Sequence, residues 1–215
     1  MRSWLRSLPV FDPEQLPEFD PAAAPASPIE LFTSWLQAVA AIGTPAPHAA
    51  NLATAGFEGE VSARTLILKD LDERGWYFAT QSTSPKGQDL EQNPQAALTF
   101  FWPAQGRQVR IQGRVEQLPA PAGADDFLDR PDPSRAAALV GHQSEPLASR
   151  QQYWDAFDEA LAQVRADPHL VAPQWGVYLL RPRWVEFWAA TADRGQIRLR
   201  YTADDDAWPR SLRWP

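Results

Sequence analysis

The chain has no cysteine among its 215 residues. That excludes disulfides, a thiolate zinc site and a cysteine nucleophile. Histidine is scarce: His48, His142 and His169 are the only three, and their spacing fits no histidine-built metal site. A basic excess is missing too. Lys and Arg total 20 against 27 Asp and Glu, a formal net charge of −7. This balance argues against a general nucleic-acid binder but leaves room for a local cationic pocket. No apolar run approaches the length of a membrane span. The first residues, with Arg2, Arg6, Pro9 and Asp12, lack the apolar centre of a signal peptide. The expectation is a cytoplasmic protein. Neither GxGxxG nor GxxxxGK[ST] occurs, so a dinucleotide fingerprint and a P-loop are both ruled out. Gly-x-Ser-x-Gly is absent as well.

Against these absences stand 44% hydrophobic residues and ten tryptophans, enough for a sizeable core. Residues 1–27 are rich in Pro and Ala without a sustained period, which reads as a flexible tail before one domain over 28–215. Ser27-Pro28 then opens a helix whose apolar residues Leu31, Phe32, Trp35, Leu36, Val39 and Ile42 recur at helical spacing. Strand patterns follow at 49–54, 61–69 and 76–80. Ser84-Pro85 starts a short helix that Asn93-Pro94 ends. Strands at 95–102 and 107–117 come next, the latter alternating Val109, Ile111, Gly113 and Val115 with Gln108, Arg110, Gln112 and Arg114. Helices at 124–130, 134–140 and 149–165 precede strands at 175–180, 184–188 and 196–201. Short strands at hairpin spacing, with helices in blocks, predict a mainly antiparallel barrel with peripheral helices. Asp204-Asp205-Asp206 reads as a solvated turn, because three consecutive side chains in an extended segment do not converge on one cation.

One constellation carries chemistry. Arg64, Lys69, Lys86, Arg107 and Arg110 decorate successive strands and a helix start. Lys86 falls in the first turn of its helix, where free N–H groups and the dipole also favour an anion. Arginine grips phosphate with two parallel donors, and lysine acts as a point charge. Gln108 adds a paired donor and acceptor of the kind that reads a heterocycle's edge.

The string Arg64-Thr65-Leu66-Ile67-Leu68-Lys69-Asp70, with Ser84-Pro85-Lys86-Gly87, Asn93-Pro94, Arg107-Gln108-Val109-Arg110 and Val185-Glu186-Phe187-Trp188, resembles the pyridoxine/pyridoxamine 5′-phosphate oxidase family. The resemblance implies a mainly β (α+β) fold: a split antiparallel β-barrel with peripheral helices, of the FMN-binding type. It also implies a homodimer with FMN bound at the subunit interface. Flavin contacts carried over by position are Arg64, Thr65, Leu66, Ile67, Lys69, Ala79, Thr80, Lys86, Gln108, Gln143, Ser144, Trp188 and Arg198. Arg64 and Lys86 would hold the phosphate, and Gln108 would face the isoalloxazine. Substrate contacts would be Lys69, Arg130, Ser134, Arg194 and Gln196, with Arg194 covering the substrate ring as the catalytic residue. The activity implied is oxidation of pyridoxamine or pyridoxine 5′-phosphate by hydride transfer to flavin N5, with reoxidation by dioxygen.

Departures from the family pattern fall on the substrate side. A phosphate-binding tyrosine is replaced by Asp126, and a histidine by Gln196. An arginine that assists the flavin phosphate is Pro85, and the family's N-terminal substrate lid has no counterpart in residues 1–27. A carboxylate a few ångströms from a phosphate is repulsive by about 1 to 4 kcal/mol. The alternatives are therefore an FMN-dependent oxidase of another reduced heterocycle, of the phenazine-precursor type, and a flavin-binding protein without turnover. A purely structural dimeric barrel is a third.

Overall fold

In the computed structural model, which describes residues 1–193, 195–205 and 207–215, α1 (Arg2–Ser7) comes first and is exposed throughout. From Phe11 onward the segment read as a tail lies against its own chain. Phe11 packs on Phe101 and Trp188, with ring centroids 6.4 and 5.7 Å away. Phe19 meets Trp35 edge-on at 5.1 Å, and Ala24 is buried. Tyr201 and Arg210 donate to carbonyls between Ala22 and Pro25. Two isolated aromatics hold this segment, and they leave no periodic signature.

Helix α2 (Pro28–Ala41) starts as its sequence implies, with the Ser27 hydroxyl accepting from the N–H groups of Ile29 and Glu30. Its stripe of Leu31, Phe32, Trp35 and Val39 is buried. The Phe32 ring meets Trp76, Phe100 and Trp102 at 5.4, 4.8 and 6.0 Å. Ser27→Ala removes the cap and is expected to cost about 1 kcal/mol, read from the midpoint of urea unfolding.

The strands are β1 (Ala49–Ala55), β2 (Val61–Asp72), β3 (Gly75–Gln81), β4 (Gln95–Trp102), β5 (Arg107–Gln117), β6 (Trp175–Ala190), β7 (Gln196–Thr202) and β8 (Arg210–Leu212). Between them lie α3 (Pro85–Gln92), α4 (Ala120–Leu128), α5 (Asp132–Val140) and α6 (Arg150–Ala166). The strand order is β3-β2-β1-β4-β5-β6-β7-β8, and β3 also pairs with β6. The first six strands of that order thus close an antiparallel barrel, and β7 and β8 extend from β6. The period of two fills the interior. Leu98, Phe100, Val109, Ile111, Val185 and Phe187 are all fully buried there. The C-terminal residues dock through β8, and Trp208 packs on the core.

One expectation needs correcting. The strands foreseen at 175–180 and 184–188 are a single strand, β6. The gap between them contains Pro182, which the ladder absorbs where the pairing shifts register between Gln112 and Gly113. A Cβ on Gly113 would stand 1.8 Å from the Arg181 carbonyl oxygen, so only glycine lets β5 pass this kink.

β2 and β5 are three strands apart in either direction around the barrel, on opposite walls.

Candidate functional site

Helix α3 builds the first part of the site. The Ser84 hydroxyl caps it, accepting from the Gly87 N–H at 3.3 Å and donating to the Gln81 carbonyl at 2.7 Å. Gly87 permits this seating, because a Cβ there would be 2.4 Å from the Ser82 carbonyl oxygen. Lys86 is thereby held in the first turn and is 7% exposed. Its ammonium donates to Ser84 Oγ at 3.2 Å and to Gln143 Oε1 at 2.9 Å. Both partners are neutral. Burial pushes the Lys86 pKa down to about 8, and the neighbouring Arg64 charge pushes in the same direction. Thr80, buried, lies 3.5 Å from Ser84 through its hydroxyl. Lys86, Thr80 and Gln143 thus join one network, with the Arg64 charge close enough to act on it.

Arg64 is half-buried. Its guanidinium donates to the Leu52 carbonyl at 3.2 Å, to Thr54 Oγ1 at 2.8 Å and to Ser62 Oγ. Burial lowers its pKa, against an opposing pull from Asp89. Two like charges at one barrel end, each with only neutral direct partners among the described residues, form a seat for an anion. Thr54, Ser62 and Asp89 were not singled out from the sequence.

The second part of the site lies on the outer face of β5, β6 and β7. Gln108 pairs with Trp188, and Trp188 with Arg198, so the three stand in one row across the sheet. Trp188 Nε1 donates to Gln196 Oε1, which ties a fourth expected residue to the row. The next row is Arg110, Glu186 and Arg200. Glu186 is 2% exposed, with Arg110 and Arg200 at 2.7 and 2.8 Å and Arg198 at 3.7 Å.

A third group gathers near α4 and α5. Lys69 Nζ lies 3.1 Å from Asp126 Oδ1, and Asp126 Oδ2 accepts from the Trp175 indole at 2.8 Å. Arg130 stacks over that indole at 4.3 Å and donates to the Ser134 carbonyl at 3.2 Å. Here Ser134 offers its backbone oxygen to Arg130.

Other expected residues stand apart from these groups. The Leu66 side chain packs on the barrel core and Ala79 on the cluster of Tyr77, Val177 and Leu179. Thr65, Ile67 and Ser144 are exposed, Ser144 with φ of 71°. Arg194 lies outside the described residues. Two cations of the original basic set are committed elsewhere. Arg110 is paired to Glu186. Arg107 faces inward, 7% exposed, stacked over Trp35 at 4.4 Å, with its pKa lowered to about 10 by burial. The alternation that buries Val109 and Ile111 also buries Arg107.

Residues 37–164 match the family model for pyridoxamine 5′-phosphate oxidase, and 175–215 match the pyridoxine 5′-phosphate oxidase C-terminal dimerisation region. The pyridoxine/pyridoxamine 5′-phosphate oxidase of Salinibacter ruber is 41% identical over 181 residues, 84% of each chain. Its counterpart in Pseudomonas putida is 42% identical over 195 residues, covering 88% of this chain and 89% of the relative. Among solved structures, PhzG from Burkholderia lata in complex with tetrahydrophenazine-1-carboxylic acid superposes with a TM-score of 0.86 at 32% identity, covering 94% of this chain and all of that one. A pyridoxamine 5′-phosphate oxidase-related FMN-binding protein from Nostoc punctiforme shares the fold, with a TM-score of 0.72 at 20% identity, covering 89% of this chain and 100% of that one.

Proposed function

We propose, from the premise that this chain belongs to the pyridoxamine 5′-phosphate oxidase family, that it is a cytoplasmic FMN-dependent oxidase whose flavin lies between two copies of the chain. The observation that carries this reading is the pair Arg64 and Lys86, near enough for the charge of one to act on the other, with only neutral direct partners among the described residues. Such a pair fits a phosphate monoester, which supplies the negative charge that their direct partners among the described residues do not. Gln108, Trp188 and Arg198 form the surface for the ring system. Gln108 is on β5, across the barrel from Arg64 on β2, and Trp188 and Arg198 continue its row away along β6 and β7. That separation supports a site in which one copy grips the phosphate and the other presents the row. The match of 175–215, which contains Trp188 and Arg198, to a dimerisation region supports it too.

When bound, FMN supplies hydride acceptance at N5 and reoxidation by dioxygen. The chain's own part is to hold and orient. Arg64 and Lys86 anchor the phosphate, and the positive end of the α3 dipole favours the same charge. Trp188 is held by its bond to Gln196, which sets the plane of the indole. Arg194 is assigned the substrate ring, as the residue that orients it and stabilises charge developing there. The remaining contacts assigned to the flavin are Thr65, Leu66, Ile67, Lys69, Ala79, Thr80, Gln143 and Ser144. Leu66 and Ala79, with side chains turned to apolar clusters, would contribute main-chain atoms. No acid or base from the protein is required.

The proposed substrate is pyridoxamine or pyridoxine 5′-phosphate, with Lys69, Arg130 and Ser134 at its phosphate. A second reading is favoured by one observation, the 3.1 Å ion pair between Lys69 and Asp126. That pair already neutralises the lysine, which suits a reduced heterocycle without a phosphate. Peroxide release measured in air with pyridoxamine 5′-phosphate, its dephosphorylated form and a panel of dihydro-heterocycles separates the two. A yellow protein that turns over none of them would overturn the oxidase reading.

The lowered Lys86 pKa gives a pH signature. A phosphate favours the ammonium form, so binding raises this pKa and takes up a proton above pH 8. FMN affinity is expected to stay level from about pH 7 to about pH 8, then fall by up to about tenfold per pH unit. Fluorescence titration of FMN across that range checks it, with Lys86→Arg expected to flatten the fall.

A further inference from the structure

Resting on the reading of Arg64 and Lys86 as a phosphate grip, we propose that Asp89 is a positioning residue for that grip, acting on Arg64 through the hydroxyls of Thr54 and Ser62. Asp89 lies on α3 three positions after Lys86, on the neighbouring part of the same helix face. A single oxygen, Oδ2, accepts from Thr54 Oγ1 at 2.6 Å and from Ser62 Oγ at 3.2 Å. Each hydroxyl in turn accepts from Arg64, Thr54 from Nη1 and Ser62 from Nη2.

The directions of these bonds matter. A hydroxyl has one proton to donate. With both protons committed to the carboxylate, both oxygens turn their lone pairs to the guanidinium and fix the plane of its fork. Without Asp89 the two hydroxyls are free to rotate, and Thr54 and Ser62 lie within 3.4 Å of each other, close enough to bond together instead. Thr54 is 2% exposed, so water competes poorly for its arm of the relay, whereas the Ser62 arm is exposed.

Among the described residues Asp89 makes no direct ion pair with Arg64, so it orients the cation without cancelling it at contact distance. Its charge also supports the Arg64 cation against the burial that lowers its pKa. One helix therefore sets both cations: Lys86 directly, and Arg64 by way of β1 and β2.

The test compares FMN with riboflavin, which lacks the phosphate, by fluorescence titration of the full chain freed of flavin. Asp89→Ala is expected to weaken FMN about tenfold and leave riboflavin within about twofold, so that the affinity ratio collapses. Asp89→Asn keeps an oxygen that accepts both hydroxyls and is expected to retain FMN affinity within about threefold. Thr54→Val should reproduce the loss and Thr54→Ser should restore the ratio, which tests the relay should the Asp89→Ala chain fail to fold. An unchanged ratio in Asp89→Ala, beside a collapsed ratio in Arg64→Ala, overturns the role of Asp89 and leaves the grip standing. Equal loss of both ligands in Asp89→Ala marks a merely structural residue and also overturns it. An unchanged ratio in Arg64→Ala overturns the grip reading itself, and the role of Asp89 falls with it.

Discussion

The Arg64→Ala, Lys86→Met double variant is expected to purify colourless and folded. Each cation contributes a charge-assisted contact to phosphate of about 1.5 to 3 kcal/mol. Loss of both should loosen FMN by a factor on the order of 10² to 10⁴. Riboflavin affinity should change little, because the row of Gln108, Trp188 and Arg198 is untouched. The Lys86 half of the change should not cost stability. Lys86 is a buried cation pushed down to a pKa of about 8 by burial and by Arg64, so its charge is already costly in the flavin-free fold. A methionine of similar length removes that cost. Urea unfolding of the flavin-free chains checks this half, and FMN titration checks the other. A double variant that still binds FMN as tightly as the parent would remove the phosphate from this end of the barrel.

Asp126→Tyr is the second large effect. In the parent chain Asp126 pairs with Lys69 at 3.1 Å and accepts from the Trp175 indole at 2.8 Å. Both cations near that indole, Lys69 and Arg130, therefore face a carboxylate before any substrate arrives. Replacing it with tyrosine frees Lys69 and removes a repulsion of about 1 to 4 kcal/mol toward a bound phosphate. Binding of pyridoxal 5′-phosphate relative to pyridoxal, followed by absorbance on the FMN-loaded chain, should shift toward the phosphate by about tenfold or more. The Trp175 indole loses this acceptor, at a cost of about 1 kcal/mol that the fold should withstand. A shift in the opposite direction would mean that substrate phosphate does not sit at Lys69.

Local signals were the legible ones. Ser27-Pro28 and the stripe from Leu31 to Val39 announced α2, because a cap and a 3.6-residue period need only neighbouring residues. Lys86 was readable as a cation in a helix's first turn, since Ser84 and Pro85 mark that start. The alternation in β5 separated Gln108 and Arg110 from Val109 and Ile111. It should also have put Arg107 indoors, but grouping residues by charge hid what their parity showed. Long-range pairings were out of reach. Gln108 and Trp188 are opposed only through the register of β5 with β6, and nothing near either residue announces it. Family resemblance alone brought Trp188 and Arg198 into view. Asp126 was foreseen as a misplaced anion, and its pairing with Lys69 required the fold. Asp89 had no signal, because its reach to Arg64 passes through two hydroxyls on separate strands. The strands expected at 175–180 and 184–188 join only in the fold, because a bulge opposite Gly113 cannot be seen from either segment alone.

A crystal structure of the chain with FMN would show most directly whether two copies share one flavin. The expected result is a phosphate within hydrogen-bond distance of Arg64 and Lys86 of one copy, with the isoalloxazine against Gln108 and Trp188 of the other. A flavin whose phosphate and ring are both held by a single copy, or whose phosphate lies away from Lys86, would contradict it.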